Sequence, residues 1–462
     1  MHFPWWYVPE LTSPMLIALV AILHVLVAHY AVGGGFFLAV ESSFAYRTKD
    51  QEYLDYLKRH ARFFILLTVV FGAITGVGIW WTIGLASPLP TALLIQTFVF
   101  GWATEWVFFV IELTAAFLFY GFWGKLPVRL HQTLGWIYAW AAWMSLVLIT
   151  GITAFMLHPG RWLEDQSFWS GFFNPQFWPQ VVARTGGALL LSSLYVYLHV
   201  AVTEGQGRLR DLVENRSARP ALLGAILITL GGLGWFALLP ESARAVMSSA
   251  AVITVLMMLI FVLTAVVFVL LYVGPYRNPG WLSPGFAGAL FLFGIAAFST
   301  GEYIREAVRK PYIVYNKVFG NQIFVEQVPE LRQNGYLEGG VWTRAYVAAR
   351  YPQVMNGRSI DEKKLLELPQ SDQVKLGEVL FQYHCNDCHA TTRGYSAVGP
   401  LLRGWSRERI QHLVEHLDEG HFFMPPWCGT PEEAEILTSY LETIALPRPA
   451  GMLPARAQLE RP

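Results

Sequence analysis

The sequence predicts an all-α protein: a polytopic membrane helix bundle of about eight spans, followed by a small all-helical domain outside the membrane. Two observations predict it. Of 462 residues, 54% are hydrophobic and 14% charged, and the mean hydropathy is +0.39, which is not a soluble composition. Before about residue 310 the chain is a series of apolar runs, each able to cross a hydrocarbon core about 30 Å thick. Beyond it come short amphipathic segments punctuated by turn residues. The 33 basic residues balance the 33 acidic ones, and there are three cysteines. No bulk basic surface argues for nucleic acid, and a disulfide scaffold is excluded.

The spans fall near 14–40, 63–85, 92–123, 131–157, 180–203, 221–240, 250–274 and 285–309. Met1–Pro14 has no cationic segment, so the first run reads as a retained span and not as a cleaved signal. The sixth is short and rich in glycine (Gly231, Gly232, Gly234). Arg47, Lys49, Lys58, Arg59 and Arg62 follow the first span, Lys125 and Arg129 the third, and Arg208, Arg210, Arg216 and Arg219 the fifth. The alternate loops are short or nearly neutral, so the basic loops face the cytoplasm. That puts the N-terminus outside, and an even number of spans returns the chain to the outside. Residues 1–309 are then the membrane domain, 310–370 a connector, 371–446 the small domain and 447–462 a tail. The connector contains Tyr312, Tyr315 and Trp342, so it is read as more than a free tether and is expected to pack on the outer face of the membrane domain.

The small domain carries Cys385-Asn386-Asp387-Cys388-His389. Two thiols three positions apart add across the vinyl groups of one haem, and the next residue supplies an imidazole to iron. A zinc half-site or a redox cysteine pair is the alternative, but zinc wants a second ligand pair and Cys428 alone remains. Cys428 is expected to be a buried or idle thiol. Met424, in Phe422-Phe423-Met424-Pro425-Pro426, offers a thioether to the other face of the iron. Such ligation raises the potential, as an electron carrier needs. Helices are read over Asp372–Tyr383, Ser406–Leu417 and Pro431–Ile444. With Gly399-Pro400 between the haem motif and Met424, residues 370–446 resemble a class I cytochrome c. Haem c is attached outside the cytoplasmic membrane, which agrees with the topology drawn from the loop charges.

Polar residues inside the spans are costly unless paired or functional. His24 and His29 lie in the first span. Glu105 and Glu112 are two turns apart on one face of the third, an arrangement suited to a proton relay. Glu306 and Arg309, one turn apart at the end of the eighth, read equally well as an interfacial ion pair.

These residues carry a second resemblance. Ile22–Glu41, Glu105–Trp123, His131–Pro159 (with Ser145 and Met156) and Glu306-Ala307-Val308-Arg309-Lys310-Pro311-Tyr312 resemble helices of subunit I of the cytochrome bd-type quinol oxidases. The last matches that family's Glu-x-x-Arg-Gln-Pro-Trp segment. The resemblance implies that His24 and Glu306 ligate non-covalent haem b or haem d, that Glu105 and Glu112 serve the oxygen and proton paths, and that Arg309 balances charge. It also implies a second membrane subunit. Where the family has the histidine of its low-spin haem b, this chain has Arg184, and arginine cannot ligate iron. The partner methionine is matched by Met247 across a gap, and the quinol-binding loop is cut to about Pro240–Ser249.

The implied function is a cytochrome c-fed, bd-like terminal oxidase of a bacterial inner membrane, exchanging electrons with an extracytoplasmic cytochrome c or other redox protein. Three alternatives stay open. A quinol dehydrogenase would send electrons outward, with low-spin haem on His199. The dihaem site would reduce another small molecule, such as nitric oxide. A non-catalytic anchor would present a cytochrome c to an external oxidoreductase.

Overall fold

The computed structural model describes residues 5–421 and 423–447; Phe422 and the tail from 448 onward lie outside the described residues. Among the described residues, eight helices are long and apolar enough to cross a membrane: Ser13–Thr48, Gln51–Ala86, Val99–Gly121, Val128–Phe155, Phe177–Thr203, Arg208–Ala237, Ala251–Tyr276 and Pro284–Ala307. They are called spans one to eight below. The fold is an all-helical membrane bundle joined to a small helical domain.

Spans two and six begin well before the apolar runs at 63 and 221. Their added turns are amphipathic, so hydropathy alone does not reveal them. Gln51–Ile65 buries Tyr53, Tyr56, Leu57, His60, Ala61 and Phe64, and Asp50 caps it by accepting the Tyr53 N–H at 3.1 Å. The run at 92–123 is broken at Phe98, between the helix Pro88–Thr97 and span three.

Spans one, five and six meet through small residues, as membrane helices do when backbones approach closely. A Cβ on Gly33 would lie 2.0 Å from the Ala188 carbonyl oxygen, and one on Gly186 or Gly224 would lie 2.6 Å from the other's carbonyl oxygen. Ion pairs tie the loop after span one to the loop after span five: Arg208 binds Asp50 at 2.7 Å, and Arg59 of span two binds Glu204 at 2.7 Å. Two of the loops assigned to the cytoplasm from their charge therefore share one end of the bundle.

The chain divides into two compact units. Ala18–Ile83 with Leu89–Tyr315 is the membrane unit; residues 5–17, 84–88 and 316–447 make the second. The connector is split between them. Tyr315 stays with the membrane unit, its N–H donating to the Met156 carbonyl at 3.0 Å. Trp342 belongs to the second unit, its ring 6.4 Å from Tyr383. The reason is a buried carboxylate. Glu433 accepts the backbone N–H groups of Tyr336 at 2.8 Å and Leu337 at 2.7 Å, clamping the connector helix Val328–Gly339 to the helix Pro431–Ile444.

Gln370–His384 and Pro431–Ile444 cross at Gly377, where a Cβ would stand 2.5 Å from the Ile436 carbonyl oxygen. The N-terminal segment joins the same unit. The Tyr395 N–H donates to the Glu10 carbonyl at 2.5 Å, and Arg393 pairs with the Glu10 carboxylate at 2.6 Å. Gly394, between them, adopts φ +105°, and a Cβ there would collide with Glu10.

Candidate haem-binding sites

In the second unit, the helix Gln370–His384 delivers the Cys-x-x-Cys-His segment. The chain then makes one more turn, with the N–H groups of Cys388 and His389 donating to the Cys385 carbonyl at 3.1 and 3.0 Å. Both thiols and the imidazole are thus set on a single turn. The His389 Nδ1–H donates to the Ser396 carbonyl at 2.8 Å. This fixes the tautomer and makes Nε2 the lone-pair nitrogen, as an iron ligand requires. The residues fit a covalent haem.

His384, just before the motif, is buried and accepts at Nδ1 from the Tyr336 hydroxyl at 2.7 Å and the Asn321 amide at 2.9 Å. Burial pushes its pKa down to about 3. Met424 is half-buried in a turn closed by its own N–H donating to the His421 carbonyl at 2.7 Å. Cys428 is buried, its thiol donating to the Pro426 carbonyl at 3.2 Å.

In the membrane unit, His24 Nδ1 lies 3.2 Å from Thr75 Oγ1, on span two. The Thr75 hydroxyl gives its proton to the Phe71 or Gly72 carbonyl, at 2.9 and 3.1 Å, so it accepts from Nδ1–H. Nε2 again carries the lone pair, which fits iron ligation. Gly76 makes room for the ring: a Cβ there would sit 3.1 Å from His24 Cε1. His29 donates Nδ1–H to Val25 at 2.8 Å but faces other helices, lying against Gly187 of span five and Phe298 of span eight.

The two glutamates of span three form a ladder with span four. Ser145 donates to Glu105 at 2.6 Å and Tyr138 donates to Glu112 at 3.0 Å. Both carboxylates are met by hydroxyls spaced, like themselves, two turns apart. At the end of span eight, Glu306 pairs with Arg309. Arg309 is 8% exposed and also donates to the Ile313 carbonyl at 3.1 Å and the Met156 sulfur at 3.4 Å. One turn earlier Glu302 pairs with Arg305 at 2.9 Å. Arg184 donates to the Thr150 hydroxyl at 3.4 Å, within electrostatic reach of Glu302. Thr75, Tyr138 and the Glu302–Arg305 pair went unread in the sequence. Each is a partner on another helix or a second ion pair, with no motif to mark it.

Among the described residues, no three His, Cys, Asp or Glu side chains converge to hold a bare metal ion.

Two family models match the chain. That for cytochrome bd terminal oxidase subunit I matches residues 13–236, and that for the cytochrome c oxidase, cbb3-type, subunit III matches residues 372–441. The chain joins a cytochrome bd oxidase subunit I domain to a cbb3-type cytochrome c domain. The chain also resembles in fold the solved bd oxidase from Geobacillus thermodenitrificans, with 18% identity and a TM-score of 0.57, covering 66% of this chain and 88% of that one. No curated protein matches the chain. The bd match ends before span seven, so Glu306 and Arg309 lie beyond it. The cytochrome c match contains both cysteines, His389 and Met424. The protein is therefore a membrane redox protein that binds haem, and bd homology suggests a second subunit.

Proposed function

We propose that this chain is the catalytic subunit of a bd-like terminal oxidase fed by its own cytochrome c domain. Electrons would pass from haem c to non-covalent haem b or haem d in the membrane unit, which supplies the iron chemistry that reduces oxygen. His24 and Glu306 hold those haems, and Arg309 fixes and charge-balances the Glu306 carboxylate. Glu105 and Glu112 deliver protons, each oriented by the hydroxyl it accepts from. Cys385 and Cys388 anchor haem c, with His389 and Met424 as its axial ligands. The basic loops put the N-terminus and the cytochrome c domain on the outer side of a bacterial inner membrane. A second membrane subunit and an external cytochrome c or similar donor complete the system.

The observation that carries the direction of electron flow is Arg184. It stands where the resemblance expects the low-spin haem ligand, and it donates to Thr150. The outward, quinol-oxidising reading needs another ligand, and His199 was the candidate. His199 lies fifteen residues along the same span, about 22 Å away, its ring 4.7 Å from His60 and 5.1 Å from Phe63. That packing favours the cytochrome c-fed reading.

The test is turnover by purified protein with its partner subunit. Reduced cytochrome c should support oxygen consumption, and a quinol analogue should support little. Changing Cys385→Ala and Cys388→Ala together should abolish the activity with the membrane haems retained. Inhibitor-sensitive quinol turnover, with a low-spin b-type signal that vanishes in His199→Ala, would reverse the assignment.

A further inference from the structure

Near the end of the membrane unit where the basic loops gather, three spans bring together tyrosines and histidines that the site above does not use. His60 is fully buried, and its Nε2 shares a hydrogen bond with the Tyr30 hydroxyl at 3.0 Å. Its Nδ1 is buried and has no hydrogen-bond partner among the described residues. A histidine kept only for packing would have both nitrogens satisfied or one in water, because a buried polar atom left unpaired costs about 1–3 kcal/mol. The His199 ring stands perpendicular to His60, centroids 4.7 Å apart, and its Nδ1 is 3.5 Å from the buried Tyr56 hydroxyl. Beyond His199 lies the rim, where Glu204 pairs with Arg59 within electrostatic reach of His199 and Tyr56.

Inward of His60, Tyr30 stacks on Tyr195 at 4.3 Å and packs edge-on against Phe64 at 5.2 Å. The other neighbour of Phe64 is Tyr138, at 5.5 Å, and Tyr138 donates to Glu112. A cavity of about 10 Å³ is bordered by Gly35, Ala61, Phe64 and Tyr138, room for about one water.

We propose that His199, His60 and Tyr30 form the proton-uptake path that leads from the Glu204 rim to Tyr138 and Glu112; this rests on the oxidase reading above. A proton arriving on His60 Nδ1 releases the one on Nε2 to the Tyr30 oxygen, and Tyr30 passes its own hydroxyl proton onward. One proton enters and one leaves, and the ring resets by exchanging tautomers. The walls of the cavity are apolar and do not hold a water at rest. A water entering it transiently would stand beside Phe64 and Tyr138, and this makes the step from Tyr30 to Tyr138 the gate. The unpaired Nδ1 is the acceptor that such a relay requires.

Two variants of the complete oxidase test the path, with electrons supplied to haem c by ascorbate and a mediator. Tyr30→Phe keeps the ring stack and removes the hydroxyl. His60→Gln keeps a donor for Tyr30 but has no second ring nitrogen. Both should slow oxygen uptake at least about tenfold, with a steeper loss as pH rises and a larger solvent deuterium isotope effect. Haem content and the haem c potential should not change. Tyr195→Phe, off the path, should behave as wild type. Wild-type rate, pH profile and isotope effect in both variants would overturn the path, as would an equal slowing in Tyr195→Phe. Absence of oxygen uptake by the wild-type enzyme would instead overturn the oxidase reading and, with it, the purpose of the path.

Discussion

His24 and His29 sit five residues apart on one helix, yet they answer to different neighbours, and that difference is measurable. His24→Ala and Glu306→Ala should each deplete the haem extractable by acid acetone and leave haem c untouched, whereas His29→Ala should remove less. Equal loss from all three would put the ligand on the wrong face of span one. Met424→Ala should keep haem c attached, lower its midpoint potential and abolish the sulfur-to-iron absorption at the red end of the spectrum. The covalent haem motif was legible because its chemistry is contained in five consecutive residues. The tautomer of His24 was not, since it is set by Thr75, 51 residues away on another helix. Glu105 and Glu112 could be read as a pair from their spacing, but Ser145 and Tyr138 as their donors required the packing of spans three and four.

At the scale of the element, hydropathy located all eight spans and misjudged where several end. The glycines that enrich the sixth span do not all serve its packing: a Cβ on Gly231 would meet the Ala183 backbone nitrogen at 2.5 Å, while Gly232 has nothing near it. Bulk at the first kind of position should be felt and at the second should not. Gly224→Leu should force spans five and six apart and cost about 1–3 kcal/mol, read as a lower melting temperature in detergent. Gly232→Leu should melt like the wild type. Amphipathic turns such as Gln51–Ile65 escape a hydropathy reading because their apolar face is only half of each turn.

The second unit is one body because a charge-bearing side chain is sealed inside it, and this gives the whole protein a dependence on pH. Burial pushes Glu433 up to about 8 and its neighbour Glu362 up to about 7, and the two titrate as a pair. Thr430 hydrogen-bonds both, donating its hydroxyl to Glu362 at 2.9 Å and its N–H to Glu433 at 3.3 Å. Carboxylates raised in the folded state hold protons that the unfolded chain has released. Stability is then full below the ordinary carboxylate range and is lost as pH rises through about 7 and about 8. Unfolding of the cytochrome c unit within the whole protein, followed by haem c absorbance, should show this decline. Glu362→Gln should flatten it. The sequence showed a polar, aromatic connector that is not a free tether; that it closes on the cytochrome c helices depended on Glu433, which reads in sequence as an ordinary helix-capping glutamate.

The contact between Glu10 and Arg393 spans 383 residues, and that separation is also an interval of time. At about 5–20 residues per second, the N-terminal segment emerges roughly 20–80 seconds before Tyr395 exists to donate to Glu10. Through that interval every span must be inserted while this strip of the second unit waits without its partner. The second unit therefore closes last, on a segment made before the spans, and a chain arrested anywhere before residue 393 leaves that segment unfinished.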